Sequence, residues 1–148
     1  ETDLPGFLAD YIEQIARTTG SVRLQIDVVN EHPGMKMRFK PIDASIIVDN
    51  LVSNAKRAKA SKIKFELTPI DKRGLLIRAT DNGRGLAPGT NKARIFEMGY
   101  TTTQGSGLGL YHVRQVLGEI GGSIELEDSE GKKGTTFVMT IIPAGRKA

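Results

Sequence analysis

The sequence predicts an α/β (α+β) two-layer sandwich: a mixed, mostly antiparallel sheet with about three helices on one face. Three observations predict it. Every candidate strand alternates apolar with polar residues and none is a continuous apolar run, so the sheet should be covered on one side only. Three further segments carry apolar residues at helical spacing. Two pairs of strands are separated by short polar turns that contain glycine, the mark of hairpins. A chain of 148 residues suits one domain, burying roughly 68–70% of its unfolded surface, and residues 1–148 are read as that domain.

In chain order, Leu4 to Thr18 places Phe7, Leu8, Tyr11, Ile12 and Ile15 on one helical stripe, and Gly20 suits the stop signal. Val22 to Val28 alternates strictly and reads as a strand with one wet face. Turn residues Asn30 to Gly34 lead into a short strand, Met35 to Phe39. Pro41 fits the first turn of a helix that runs to about Ala58. Its apolar arc is Ala44, Ile47, Val48, Leu51, Val52 and Ala55, with Asn50 and Asn54 stacked at the border and Arg57 on the polar side. Asparagine is a poor helix-interior residue, because its amide competes for backbone groups. Two in register where core meets solvent suit a polar ligand, while capping of neighbouring loops by both amides is the structural alternative.

Lys62 to Ile70 turns Ile63, Phe65 and Leu67 inward, and Asp71 to Gly74 returns the chain into the strand Leu75 to Thr80. After Gly85 comes a connection of about twenty residues, rich in Gly, Thr and Pro and interrupted around Ala93 to Met98; connections this long are usually lids or mobile. A helix follows through Ile120, packing Leu110, Val113, Leu117 and Ile120 and ending at Gly121-Gly122. A last hairpin, Ser123 to Asp128 and Thr135 to Ile142, completes the sheet.

Two glycine clusters carry the chemistry. In Asp81-Asn82-Gly83-Arg84-Gly85, the strand delivers a carboxylate to its end, exposed to a cleft, and Gly83 and Gly85 allow close approach of another molecule. Gly105-Ser106-Gly107-Leu108-Gly109-Leu110 opens a helix, whose free N-terminal N–H groups bind phosphate. One site would hold a base at one end and phosphates at the other, with the Asn50 helix and the Gly107 helix on the same face.

Composition narrows the classes. The 21 basic and 17 acidic residues are scattered and only 5% of residues are aromatic, so no nucleic-acid footprint is present. Without cysteine there is neither a disulfide nor a thiolate metal site, and a reducing compartment is expected. No apolar run spans a bilayer and no signal-like segment opens the chain. The expectation is an excised cytoplasmic domain without direct membrane insertion, with anchoring of the parent protein left open.

In sum of motifs the chain resembles the GHKL ATP-binding fold and, within it, the catalytic domain of sensor histidine kinases, over nearly its whole length. Asn50-Leu51-Val52-Ser53-Asn54-Ala55 is similar to the N box and Asp81 to Gly85 to the G1 box. Ile95-Phe96-Glu97-Met98-Gly99-Tyr100-Thr101-Thr102 is similar to the F box and Gly105 to Leu110 to the G2 box. The resemblance implies that Asp81 accepts the adenine amino group and that Asn54 ligates Mg²⁺ through its amide oxygen. It implies that Asn50 supports metal or phosphate and Arg57 neutralises phosphate charge, which makes these two the catalytic pair. It further implies that Gly83 and Gly85 shape the adenine end, and that Gly105, Gly107, Leu108 and Gly109 wrap the triphosphate. Phe96 would anchor an ATP lid of about residues 86–106, with Thr101 and Thr102 among the nucleotide contacts. Thr103 and Gly99 depart from the family, which commonly has a basic and an aromatic residue there.

One position separates subfamilies. The ATPases and serine kinases of this fold carry a glutamate base where Asn50 stands, and an amide takes no proton at neutral pH. A histidine acceptor needs no base, since neutral imidazole already has a lone pair. The resemblance therefore implies a domain that binds ATP-Mg and donates the γ-phosphoryl group to a histidine on a separate dimerisation domain of the parent kinase, with little activity alone. The partners implied are those dimerisation helices and, indirectly, a response regulator. A non-catalytic nucleotide-sensing module of the same fold is the alternative. Neither His32, in a turn, nor His112, on the polar side of a helix, reads as the phosphoacceptor.

Overall fold

The computed structural model describes residues 2–18, 24–31, 34–70, 74–85, 92–97, 109–127 and 134–142. In chain order the elements are β1 (Thr2–Asp3), α1 (Leu4–Thr18), β2 (Gln25–Asn30), β3 (Lys36–Met37), α2 (Pro41–Arg57), β4 (Lys62–Ile70) and β5 (Gly74–Asp81). A single 3₁₀ turn (Lys92–Arg94), α3 (Gly109–Glu119), β6 (Gly122–Leu126) and β7 (Thr135–Ile141) complete them. The main sheet has the order β2-β4-β5-β7-β6, with β2 parallel to β4 and every other pair antiparallel.

Register explains why only one face is covered. Leu67, Ile77, Met139 and Ile124 lie across the sheet in one row, and Phe65, Ala79, Phe137 and Leu126 in the next. These rows face the helices, and Phe65, Leu67, Ile77 and Met139 are almost wholly buried, each transfer from water stabilising the fold by about 1.5–3 kcal/mol. The opposite face carries Lys62, Asp27, Arg78 and Glu127; Arg78 Nη1 lies 2.7 Å from Glu127 Oε1 and Lys62 Nζ 3.4 Å from Asp27 Oδ2. The helices lie side by side: α1 against β2, α2 over β4 between the other two, and α3 against β6.

Two details differ from the sequence reading. The strand expected from Val22 begins at Gln25 and extends to Asn30, with residues 21–23 outside the described ones. The strand expected over Met35 to Phe39 keeps only Lys36–Met37, and it pairs with Thr2–Asp3 in a separate two-stranded sheet. The reason is the cap of α1: Asp3 Oδ1 accepts from the Gly6 N–H at 2.9 Å, as N-cap residues do, and its Oδ2 accepts from Gly34 N–H at 2.9 Å. One carboxylate thus ties the start of α1 to the turn before β3.

Candidate functional site

The candidate site lies where the end of β5, the second half of α2 and the start of α3 converge. Along β5 the side chains of Leu75, Ile77, Ala79 and Asp81 share the core-facing side, because a strand repeats every two residues. Asp81 is the last of that row, paired in register with Ile63 and Thr135. The sequence reading had this carboxylate exposed to a cleft; it is buried, with 7% of its surface accessible. Its Oδ1 accepts from the Gly83 N–H at 2.8 Å. Burial pushes the Asp81 pKa up, and the backbone N–H bonds from Gly83 and Thr135 pull part of that shift back.

Glycines let the surroundings close on this carboxylate. A Cβ on Gly83 would lie 2.7 Å from both the Cβ and the carbonyl oxygen of Ala58, just past the end of α2. Gly134, at φ +95°, packs its Cα against the Asp81 carbonyl so tightly that any side chain would overlap it. Gly85 lies against Gly134 in turn.

α2 runs from this point toward α3. Asn54 and Asn50 lie one and two turns back from Ala58, about 6 and 12 Å along the axis. Both are half-buried, whereas Arg57 is exposed, as the helical wheel required. Asn50 Nδ2 donates to the Ile46 carbonyl of its own helix at 2.7 Å. That bond turns Oδ1 toward α3, where a Cβ on Gly109 would meet it at 2.8 Å. Asn54 Oδ1 accepts from Arg57 Nη2. Both described bonds thus stay within α2. Lys56, Arg57, Lys59 and Arg84 are exposed around the end of α2, a basic rim that suits phosphate charge.

Phe96 is half-buried and meets Phe137 edge to face, with ring centres 6.1 Å apart, while Ile95 beside it is buried. The segment after the 3₁₀ turn is thereby fastened to β7. Thr101, Thr102, Gly105, Gly107 and Leu108 lie outside the described residues, as do Gly99, Thr103 and His32. His112 is exposed on α3.

Sequence reasoning missed Gly134 and Thr135, which flank Asp81 across the sheet. The signal available was a glycine directly before the β-branched run Thr135-Thr136, a place where close backbone approach is common. It also missed Val116, buried on α3 with Val113 and Leu117.

The fold and site define a two-layer α/β sandwich with a buried carboxylate at the end of β5 and two half-buried amides on the adjoining half of α2. The chain belongs to the family of histidine kinase-, DNA gyrase B- and HSP90-like ATPases, whose model matches residues 39–145. Nitrogen regulation protein NtrY of Azorhizobium caulinodans is 34% identical over 131 residues, 78% of this chain and 16% of that protein. Sensor protein RstB of Escherichia coli is 31% identical over 139 residues, 88% of this chain and 31% of that protein. This chain therefore spans less than a third of either relative. Among solved structures, full-length ShkA in complex with AMPPNP superposes with a TM-score of 0.77 at 25% identity, over 97% of this chain and 31% of that one. A mycobacterial sensor histidine kinase, MprB, superposes with a TM-score of 0.74 at 22% identity, over 96% of this chain and 95% of that one, and shares the fold. Among the described residues no helix is long and apolar enough to cross a membrane.

Proposed function

We propose that this domain binds ATP with Mg²⁺ between α2 and the Asp81 turn and donates the γ-phosphoryl group to a histidine on a separate dimerisation domain of its parent sensor kinase. The observation that carries this reading is Asn50, an amide whose oxygen is aimed at the first residue of α3. A side chain there that takes no proton leaves water unactivated, so hydrolysis is slow. A neutral imidazole brings its own lone pair, and the domain then contributes positioning and charge neutralisation. Family membership supports the nucleotide, and the name of a relative from Mycobacterium ulcerans that is 28% identical over 141 residues, signal transduction histidine-protein kinase/phosphatase MprB, supports the acceptor.

In this reading a carboxylate oxygen of Asp81 accepts a hydrogen bond from the adenine amino group, beside Gly83, Gly85 and Ala58. The N-terminus of α3, which begins at Gly109, offers N–H groups to the phosphates; Gly105, Gly107, Leu108, Thr101 and Thr102 are proposed contacts from the sequence motifs alone. Phe96 holds the lid's base on β7. Among the described residues no group of three or more His, Cys, Asp or Glu side chains could hold a metal. The half-buried amide oxygen of Asn54 is a hard neutral donor, which fits Mg²⁺, an ion that keeps several waters and takes its remaining ligands from phosphates. Bound there, with Asn50 as a second possible donor, it would neutralise phosphate charge alongside Arg57.

The test is incubation of the full-length parent protein with ATP labelled at the γ-phosphate. Acid-labile label on the protein, lost when its acceptor histidine is replaced, is the expected result. Nucleotide binding without any transfer would favour the sensing module, and acid-stable label would favour a hydroxyl acceptor; either outcome overturns the histidine assignment.

A further inference from the structure

Asn82 makes a set of bonds that the nucleotide reading does not use. Its Oδ1 accepts from two successive backbone N–H groups, Ser61 at 2.8 Å and Lys62 at 2.9 Å. Its Nδ2 donates to Ser61 Oγ at 2.8 Å, and its own N–H donates to the Lys62 carbonyl at 3.1 Å. Two residues on, the Arg84 N–H donates to the Ala58 carbonyl at 2.8 Å. The turn that follows Asp81 is therefore fastened at two points to residues 58–61, the short link between α2 and β4, and to Lys62, the first residue of β4. That link is the direct continuation of the helix turns that carry Asn54 and Arg57.

We infer that Asn82 is a positioning residue, which fixes the spacing between the Asp81 carboxylate and the Asn54–Arg57 end of α2 and so sets the affinity for a nucleotide that must reach both. This rests on the proposed nucleotide site. Only a side chain with an acceptor placed between two adjacent N–H groups holds the link in this way, and asparagine adds a donor for the Ser61 hydroxyl. Asn82, Ser61 and Lys62 are all exposed, so water replaces these bonds when they open and their loss costs the fold little. What opening changes is distance. Asp81 itself is held by its strand neighbours, while the end of α2 is tied to it through the Asn82 and Arg84 bonds.

The test is calorimetric titration with a non-hydrolysable ATP analogue and Mg²⁺ on wild type, Asn82→Ala, Asn82→Asp, Asp81→Asn and the double variant Asp81→Asn/Asn82→Ala. Asn82→Ala is expected to weaken binding roughly tenfold. Asn82→Asp, which keeps the acceptor for both N–H groups, should stay within about threefold of wild type. In the Asp81→Asn background the Asn82→Ala loss should shrink to about twofold or less, because spacing to an absent anchor no longer matters. An equal loss in both backgrounds, or none in either, overturns the inference while leaving the nucleotide site intact. Wild type that does not bind, or that binds independently of Asp81, overturns the site and this inference with it. Should Asn82→Ala not fold, amide hydrogen exchange on wild type decides: by reciprocity the analogue should slow exchange at Ser61 and Lys62, and unchanged exchange there overturns the role.

Discussion

Asp81 occupies a core position with a polar side chain, and its energetics run against the fold. Its folded-state pKa lies above the ordinary aspartate value, chiefly because burial disfavours the charge. A group raised in this way favours folding below its unfolded pKa and loses that contribution as pH rises through the folded one. Wherever the pH exceeds that folded value, the ionised side chain is a buried charge carried at a cost. Asp81→Asn should melt no lower than wild type at pH 7, and higher if the relief exceeds the weakened Gly83 bond, while its affinity for adenine nucleotides falls by about 1.5–3 kcal/mol, roughly tenfold to a hundredfold. Thermal melts beside binding titrations check both. A melt well below wild type would make Asp81 a structural residue. Tyr11 is the second perturbed residue: its hydroxyl donates to Asp49 Oδ1 at 2.8 Å, joining α1 to α2, and burial followed by that bond raises its pKa to about 12. The sign is again that of a raised group, so the link is fully present below pH of about 10, the unfolded tyrosine value, and is lost as pH climbs toward the folded one. Tyr11→Phe should cost about 1 kcal/mol at pH 7, and the gap from wild type should close in melts at strongly alkaline pH.

At the scale of elements, α2 ends in a Schellman motif. Lys59 N–H donates to the Lys56 carbonyl and Ala60 N–H to the Ala55 carbonyl, each at 3.0 Å, with Lys59 at φ 60° in the left-handed region. Glycine is the usual residue there. The left-handed penalty is about 1–2 kcal/mol and the extra entropy glycine loses is about 0.5–1 kcal/mol. Lys59→Gly should therefore raise stability by up to about 1.5 kcal/mol in denaturant titration, and a decrease would mean the lysine side chain makes an offsetting contact. Nothing in the sequence announced this cap, because lysine carries no turn signal. By contrast Pro41 and the arc Ala44, Ile47, Val48, Leu51, Val52 and Ala55 marked α2 to within a residue or so, since a helix between two others must bury one continuous stripe. Strand rows were legible for the same reason in period two. What period two leaves open is pairing: β1 is two residues long, and only the three-dimensional position of Asp3 makes it a strand. The burial of Asp81 was also available in principle from the Leu75, Ile77, Ala79 spacing, but a carboxylate at a strand end reads locally as solvent-facing. The site's two ends were legible as motifs. Their union was not, because Gly134, Ser61 and Asn82 meet only through the register of β4, β5 and β7.

For the whole molecule, one sheet face carries the helices, so the sheet acts as a base that holds Asp81, while in the proposed function α2 and α3 present the groups for phosphate. Core variants test that division: Leu117→Ala, at a fully buried position, should cost about 2–5 kcal/mol of stability while leaving analogue affinity of the folded fraction within about threefold, since it touches neither anchor. A purified domain with fast steady-state ATP hydrolysis would contradict the place given to Asn50. The central claim is a nucleotide site anchored at Asp81. It is tested most directly by calorimetric titration of this domain with a non-hydrolysable ATP analogue, with and without Mg²⁺, beside Asp81→Asn. Saturable binding that tightens with Mg²⁺ and drops at least about tenfold in the variant is the predicted result; binding that is absent, or that is equal in wild type and Asp81→Asn, would contradict it.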